Sequence, residues 1–397
     1  MKLYINRADV TSEKLVAVDD MILTKDLPTT AGSKMLDGYI SLFEAEVVTK
    51  LKNAGYTVSG KANVGEMAID LLGETSYYVE CTDENGNLSS AAAEIVRSGE
   101  VKACLTLDVN GTPRRAAALA DLFYIKPTYG VVSRYGTIPA VCSGETVGVM
   151  AKCPDCACEV LSAILGHDAK DGTSHSDEKC AVLDGEASPK KVAIVTALTK
   201  NVDAATAKKM SDAKVALEAA GIEVTEIDGA ELTYAKAAWN ALMCSELTNN
   251  VSRYEGVKYG YRAKEYKTID ELYTNSRTEA FGELLKTAIL YGSENLSDDN
   301  YMPVYDKSLR VRRVMAEYFA ELFEKYDAVM MPACSKAAYT KADTDSNIYL
   351  AFDEALYTAP ASITGLPAVI AGGVQLVGKA FDEKTLIALA KMMKEAK

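Results

Sequence analysis

An α/β fold on one mixed sheet is the architecture this sequence predicts, and a pattern that occurs twice predicts it. Near the N-terminus the β-branched run Val16-Ala17-Val18 precedes an amphipathic stretch over Glu44 to Ala54 and a second apolar run at Tyr56-Thr57-Val58. After Lys191 the order returns: Lys191 to Val195 as strand, Ala204 to Ala220 as helix, Ile222 to Ile227 as strand. Such alternation sets strands side by side with helices on the faces of the sheet. Further strands at Ala328 to Met331 and Ala368 to Ile370 follow a helical middle, so one sheet drawing on distant parts of the chain is expected, within one domain spanning 1–397.

Each element has a local cause. Val16 to Val18 is short and apolar, as a buried strand requires, and Thr29 to Ser33 (TTAGS) reads as a turn. In Glu44 to Ala54 the residues Ala45, Val47, Val48 and Leu51 share one face, and Gly55 stands where a helix C-cap falls. Ser90 to Val96 is a helix that Ser89 is placed to cap, and Pro154 opens another at its first turn. His167 to Pro189 is polar and without periodicity, which predicts a loop crossing between the two halves of the domain. Gly221 caps the helix of the second strand–helix–strand unit, as Gly55 caps that of the first. Glu255 to Tyr326 is helical in character, with long amphipathic stretches at Ile269 to Tyr291 and Tyr305 to Lys325.

Composition excludes several classes. The chain has 397 residues with 48% hydrophobic content, enough for a large core. Its 56 acidic against 43 basic residues give a net charge of −13, so neither direct nucleic-acid binding nor attachment to an acidic membrane is expected. Nine scattered cysteines and an N-terminus without a basic-then-apolar pattern point to a reducing cytoplasm. Apolar stretches such as Pro367 to Val377 fall short of the ~18 residues a spanning helix needs. No glycine-rich phosphate loop is present, and no cofactor is expected.

Several segments in order along the chain carry a resemblance: Thr29 to Leu36 (TTAGSKML), Val47 to Lys61, Lys126 to Gly136 (KPTYGVVSRYG), Gly166 to Ser174 (GHDAKDGTS), Tyr254 to Arg262 (YEGVKYGYR), Tyr291 to Asp327 and Gly365 to Asp382. Together they resemble the amidase signature family, and within it the A subunits of tRNA-dependent glutamyl/aspartyl amidotransferases. The resemblance implies a single α/β domain with a mixed central sheet flanked by helices. It also implies that the family's helical N-terminal part is largely missing here and that a deletion precedes Asn85.

The family transfers acyl groups with a serine nucleophile, a relay serine and a lysine that accepts the proton. A hydroxyl is a poor nucleophile until a positioned base takes its proton. Carried onto this sequence, the lysine position is Asp19, in Val18-Asp19-Asp20-Met21; the relay position is Leu88; the nucleophile position is Thr112, in Asn110-Gly111-Thr112-Pro113-Arg114. Thr112 keeps a hydroxyl, but Pro113 removes a backbone donor beside it. A slip of one residue would bring Ser89 to the relay position, and Lys61 or Lys25 would have to approach from a neighbouring loop to replace the base.

Other family positions are kept in part. Asp108 and Gly111 match the loop whose backbone N–H groups form an oxyanion hole, with Val109 and Asn110 substituted inside it. Tyr261 and Arg312 match positions on the substrate side, and Arg312 is suited to a bidentate pair with a carboxylate. Ala355 stands where an acidic residue would hold an amino group, with Asp353 and Glu354 just before it. The cluster Cys153-Pro154-Asp155-Cys156-Ala157-Cys158 invites a metal reading completed by His167, His175 or Cys180, but Pro154 opening a helix makes buried-face cysteines the expected reading, with no metal.

The combined expectation is a catalytically degenerate amidase-fold protein that acts as a binding or scaffold paralogue. Its partners would be a small amide or carboxylate ligand, or a protein like a B or C subunit. The alternative is a working glutamine amidase that supplies ammonia for tRNA-dependent amidation, or another amide hydrolase using Thr112.

Overall fold

The computed structural model describes residues 3–395, with the side chain of residue 395 excepted; the outermost positions of the expected 1–397 domain lie outside the described residues. Eleven strands form one sheet: β1 (Tyr4–Arg7), β2 (Leu15–Asp19), β3 (Thr57–Ala62), β4 (Ala103–Asp108), β5 (Phe123–Lys126), β6 (Thr146–Ala151), β7 (Lys191–Val195), β8 (Glu223–Ile227), β9 (Ala328–Met331), β10 (Ala368–Ala371) and β11 (Val374–Gly378). Their spatial order is β1-β3-β2-β4-β6-β5-β10-β11-β9-β7-β8. Strands from both ends of the chain thus lie in one sheet.

Apart from the edge strand β1, which runs antiparallel to β3, the flanks of that sheet are parallel and its centre is antiparallel. β3, β2 and β4 run parallel, as do β8, β7 and β9. Between them β4, β6, β5, β10, β11 and β9 alternate in direction. Helix crossovers join the parallel neighbours, Glu46–Asn53 between β2 and β3 and Ala204–Ala219 between β7 and β8. Both helices end at glycines with positive φ, 82° at Gly55 and 85° at Gly221, which a side chain would strain. The central strands are buried at nearly every position, as strands covered on both faces must be.

Three expectations need correction. Ser89 does not cap a helix: the helix is Ala91–Ser98, Ser90 is its N-cap without a side-chain bond, and the Ser89 hydroxyl donates to Glu94 Oε1 at 2.6 Å. The stretch Ile269 to Tyr291 is two helices, Ile269–Ala280 and Glu283–Asn295, because the Gly282 N–H is taken by the distant Glu66 carboxylate at 2.8 Å. The loop His167 to Pro189 contains one short helix, Asp177–Cys180.

Candidate functional site

Asp19 ends β2, where burial of Val16 to Val18 draws it into the sheet. Its carboxylate accepts the N–H of Met21 at 3.0 Å and that of Leu107, on β4, at 2.6 Å. Burial pushes its pKa up to about 6, against those N–H groups and the charge of Lys61, which pull it down. The side chain is therefore a bridge between neighbouring strands.

Lys61 enters from β3, whose register sets it beside Val18. It is fully buried, and its Nζ donates to the Ile22 carbonyl and, at 3.0 Å, to Thr29 Oγ1, with Asp20 Oδ1 3.8 Å away. Burial lowers its pKa, and Asp20 and Asp19 oppose that shift. Its donors thus serve the turn after β2, while Lys25 is exposed. Neither lysine lines the cavity at Thr112.

Thr112 opens the helix Thr112–Ala120, with Gly111 as its left-handed N-cap and Pro113 in the first turn. Only glycine fits position 111: φ is 81°, and a Cβ there would stand 2.4 Å from the Thr358 Cβ. The Thr112 hydroxyl donates to the carbonyl of Asp70 at 2.6 Å, and Arg115 Nη2 donates to the same carbonyl at 2.9 Å. A hydroxyl whose proton points at a carbonyl has no base to give it to.

The loop before Thr112 is equally committed. Val109 is fully buried. Asn110 donates to the carbonyls of Ile69 at 3.0 Å and Ala351 at 3.2 Å, and its Oδ1 accepts the indole N–H of Trp239 at 3.1 Å. The Gly111 N–H, a candidate oxyanion donor, goes to Asp108 Oδ1 at 3.1 Å. An oxyanion hole needs N–H groups free to meet the developing charge. The side chain of Asn110 and the N–H of Gly111 are instead used within the protein.

Asp19 and Thr112 do line one cavity, together with Asn63, Gly65, Ser90, Thr106 and Pro113. Its volume is about 20 Å³, on the scale of a single water. Leu88 is not on its wall: it is buried, and its N–H donates to the Tyr339 carbonyl at 2.7 Å. Ser90, two positions past Leu88, is a serine on the cavity wall, and the spacing that gave Leu88 as the relay position passed over it. Asp70 and Arg115, which surround Thr112, were also missed; a pair of adjacent arginines, Arg114-Arg115, directly after the loop was the available signal.

The two residues expected to face a ligand have different neighbours. Tyr261 donates its hydroxyl to Glu279 at 2.6 Å, carries Lys34 Nζ 4.2 Å from the centre of its ring, and lines a cleft of about 750 Å³ with Lys34, Asp37, Tyr39, Arg253 and Lys258. Arg312 is absent from that wall. It sits half-buried on the helix Lys307–Leu322, where Nη2 donates to Ser143 Oγ at 2.8 Å and its buried Nε has no partner. Burial lowers its pKa, and nearby Glu246 opposes the shift. Of the acidic candidates, Asp353 is exposed and paired with Lys236, and buried Glu354 accepts the N–H and hydroxyl of Ser335 at 2.8 and 2.5 Å. Ala355 is buried. Among the described residues no three or more His, Cys, Asp or Glu side chains group as metal ligands.

An eleven-stranded mixed sheet flanked by helices, with a Gly111-Thr112 loop opening one of them, defines the class. The amidase family model matches residues 15–387, and the chain belongs to the amidase family. Within that family it is related to the A subunit of glutamyl-tRNA(Gln) amidotransferase. It is 34% identical over 390 residues to the A subunit from Latilactobacillus sakei, covering 94% of this chain and 80% of the relative. The corresponding protein of Lachnoclostridium phytofermentans is 33% identical over 412 residues, covering 96% and 83%. The crystal structure of the glutamyl-tRNA(Gln) amidotransferase A subunit from Thermotoga maritima superposes with a TM-score of 0.81 at 25% identity, over 99% of this chain and 87% of that one. Among the described residues, no helix is long and apolar enough to cross a membrane.

Proposed function

We propose that this chain is a catalytically degenerate relative of the amidotransferase A subunit, serving as a binding or scaffold protein in the cytoplasm. The state of Thr112 carries the reading: its proton is committed to the Asp70 carbonyl beside a cavity of about 20 Å³. A glutamine side chain does not fit there. Asp19, at the position of the base, spends its carboxylate on two backbone N–H groups, and Leu88 offers no hydroxyl. Loss of one member of a comparable serine triad costs up to about 10⁶ in turnover, so three departures leave little beyond binding. Tyr261, on the wall of the cleft, and Arg312, away from that cleft, are separate candidates to meet a small amide or carboxylate ligand. The relatives are subunits by name, which supports a B- or C-subunit-like protein as the partner.

The purified chain is expected to release no ammonia from glutamine or asparagine above the uncatalysed rate, alone or with a B-subunit-like partner. Turnover that Thr112→Ala abolishes would overturn this reading. The second reading, an active amidotransferase component that supplies ammonia, is favoured by the 34% identity across 94% of the chain, and that outcome would establish it.

Restoring the family residues is expected to fail as well. Asp19→Lys, Leu88→Ser and Thr112→Ser together leave Arg115, Asn110 and Trp239 in place and put the new serine at position 88, off the cavity wall. Appearance of glutaminase activity in the triple variant would show that the cavity opens on binding.

A further inference from the structure

The cysteines at the corner after β6 have no role in the reading above. Cys153 is the N-cap of the helix Pro154–Ile164; its Sγ accepts the N–H of Cys156 at 3.4 Å, and the two sulfurs lie 2.9 Å apart. Both residues are partly exposed, as reagents require. We propose that Cys153 and Cys156 form a redox-active dithiol that closes reversibly to a disulfide by exchange with a small-molecule disulfide.

The geometry supplies each requirement of that exchange. Pro154 fixes the first turn of the helix, so the side chains at positions 153 and 156 project together and little backbone movement is needed to join them. The Cys153 sulfur sits at the N-terminus of the helix, where it already accepts the Cys156 N–H, and takes the part of attacker. Burial and the neighbouring Cys153 sulfur raise the pKa of Cys156, which holds its proton until the second step. Cys158, two residues on, packs partly against the core and has no sulfur at this distance. With no third metal-ligating side chain grouped there among the described residues, two-thiol chemistry suits the pair better than zinc.

The step balances. Cys153 gives its proton to solvent and its sulfur attacks one sulfur of the small disulfide, whose S–S bond breaks and releases one small thiolate, which takes up a proton. Cys156 gives its proton to solvent, and its sulfur then displaces the second small thiolate from Cys153. Two protein thiols are oxidised and one small disulfide is reduced to two thiols. Because so short a loop restrains the unfolded chain only weakly, the bond would act as a switch and add little stability.

The test equilibrates the purified full chain in glutathione buffers of graded reduced-to-oxidised ratio, followed by acid quench, alkylation and peptide mass mapping. Cys153 and Cys156 are expected to lose alkylation together in one two-electron step that follows the square of reduced glutathione over oxidised glutathione, while Cys158 stays alkylated throughout. Cys156→Ser should trap glutathione on Cys153, and Cys153→Ser should slow exchange at position 156 at least about tenfold. The proposal falls if both thiols stay alkylated across the series, if Cys158 takes the place of either, or if one equivalent of zinc protects the pair. Should a serine variant fail to fold, the wild-type titration decides the point alone.

Discussion

Arg114→Ala is expected to cost the folded state about 3–5 kcal/mol, the range for removing one partner of a buried ion pair. Arg114 and Asp108 are both fully buried, and the guanidinium meets the carboxylate twice, Nε to Oδ2 at 2.8 Å and Nη2 to Oδ1 at 3.0 Å. The remaining N–H groups go to the Thr358 carbonyl at 2.8 Å, Gln375 Oε1 at 2.9 Å and Ser362 Oγ at 2.5 Å. All five donors are used, which is the full capacity of an arginine. Removing them leaves the Asp108 carboxylate buried and unpaired, and Asp108 also holds the Gly111 N–H. Arg114→Lys should recover less than half of the loss, since an ammonium cannot make the paired contact or reach partners on three elements. Urea unfolding of the two variants checks this; a loss below about 1 kcal/mol for Arg114→Ala would mean that water replaces the guanidinium.

The same residues explain what sequence could and could not reveal. The parallel flanks were legible because each holds a strand, a helix, a terminating glycine and a strand in that order, as at Lys191–Val195 and Ala204–Ala219. The antiparallel centre was not, apart from Ala328–Met331 and Ala368–Ala371. Ala103–Asp108 and Thr146–Ala151 are paired residue for residue, yet 37 residues separate the end of one from the start of the other, and Thr146–Ala151 does not alternate polar with apolar. Tyr4–Arg7 and Val374–Gly378 are short and were not distinguished from their surroundings.

The site divides along the same line. Spacing brought Asp19 and Thr112 to one cavity, because the fold holds β2 and β4 side by side. It could not reveal what fills the space, since Trp239 reaches Asn110 from 129 positions away and Gln375 reaches Arg114 from 261. Leu88 left the predicted place because its backbone pairs with Tyr339, another contact that no local pattern reports.

Buried carboxylates around the site make stability depend on pH, and Asp70 should dominate. It is fully buried, packed so closely on Gly65 that a Cβ there would stand 1.7 Å from Oδ2, and its Oδ1 has no partner. Burial first, then the like charge of Glu74, push its pKa up to about 8, against the Thr75 N–H and hydroxyl and the charge of Arg115. For an acid whose folded pKa is raised, the stabilising contribution is complete below the unfolded value of 3.8 and is lost as pH rises through about 8. The chain should therefore lose stability between those values, on the order of 6 kcal/mol from this group. Glu66, raised by burial to about 7, and Asp19, at about 6, add to the decline in the same window. Lys126, lowered by burial to about 7, acts oppositely and later, as its buried-charge penalty disappears above that pH. Asp70→Asn separates these contributions. An amide oxygen can keep both bonds that Oδ2 accepts from Thr75, at 3.0 Å each, and the amide nitrogen takes the place of the unpartnered Oδ1. The variant should match the wild type near pH ~4 and exceed it by an increasing margin towards pH ~8, read as the difference between two urea series. Parallel curves across that range would show that Asp70 ionises without hindrance and that water reaches it.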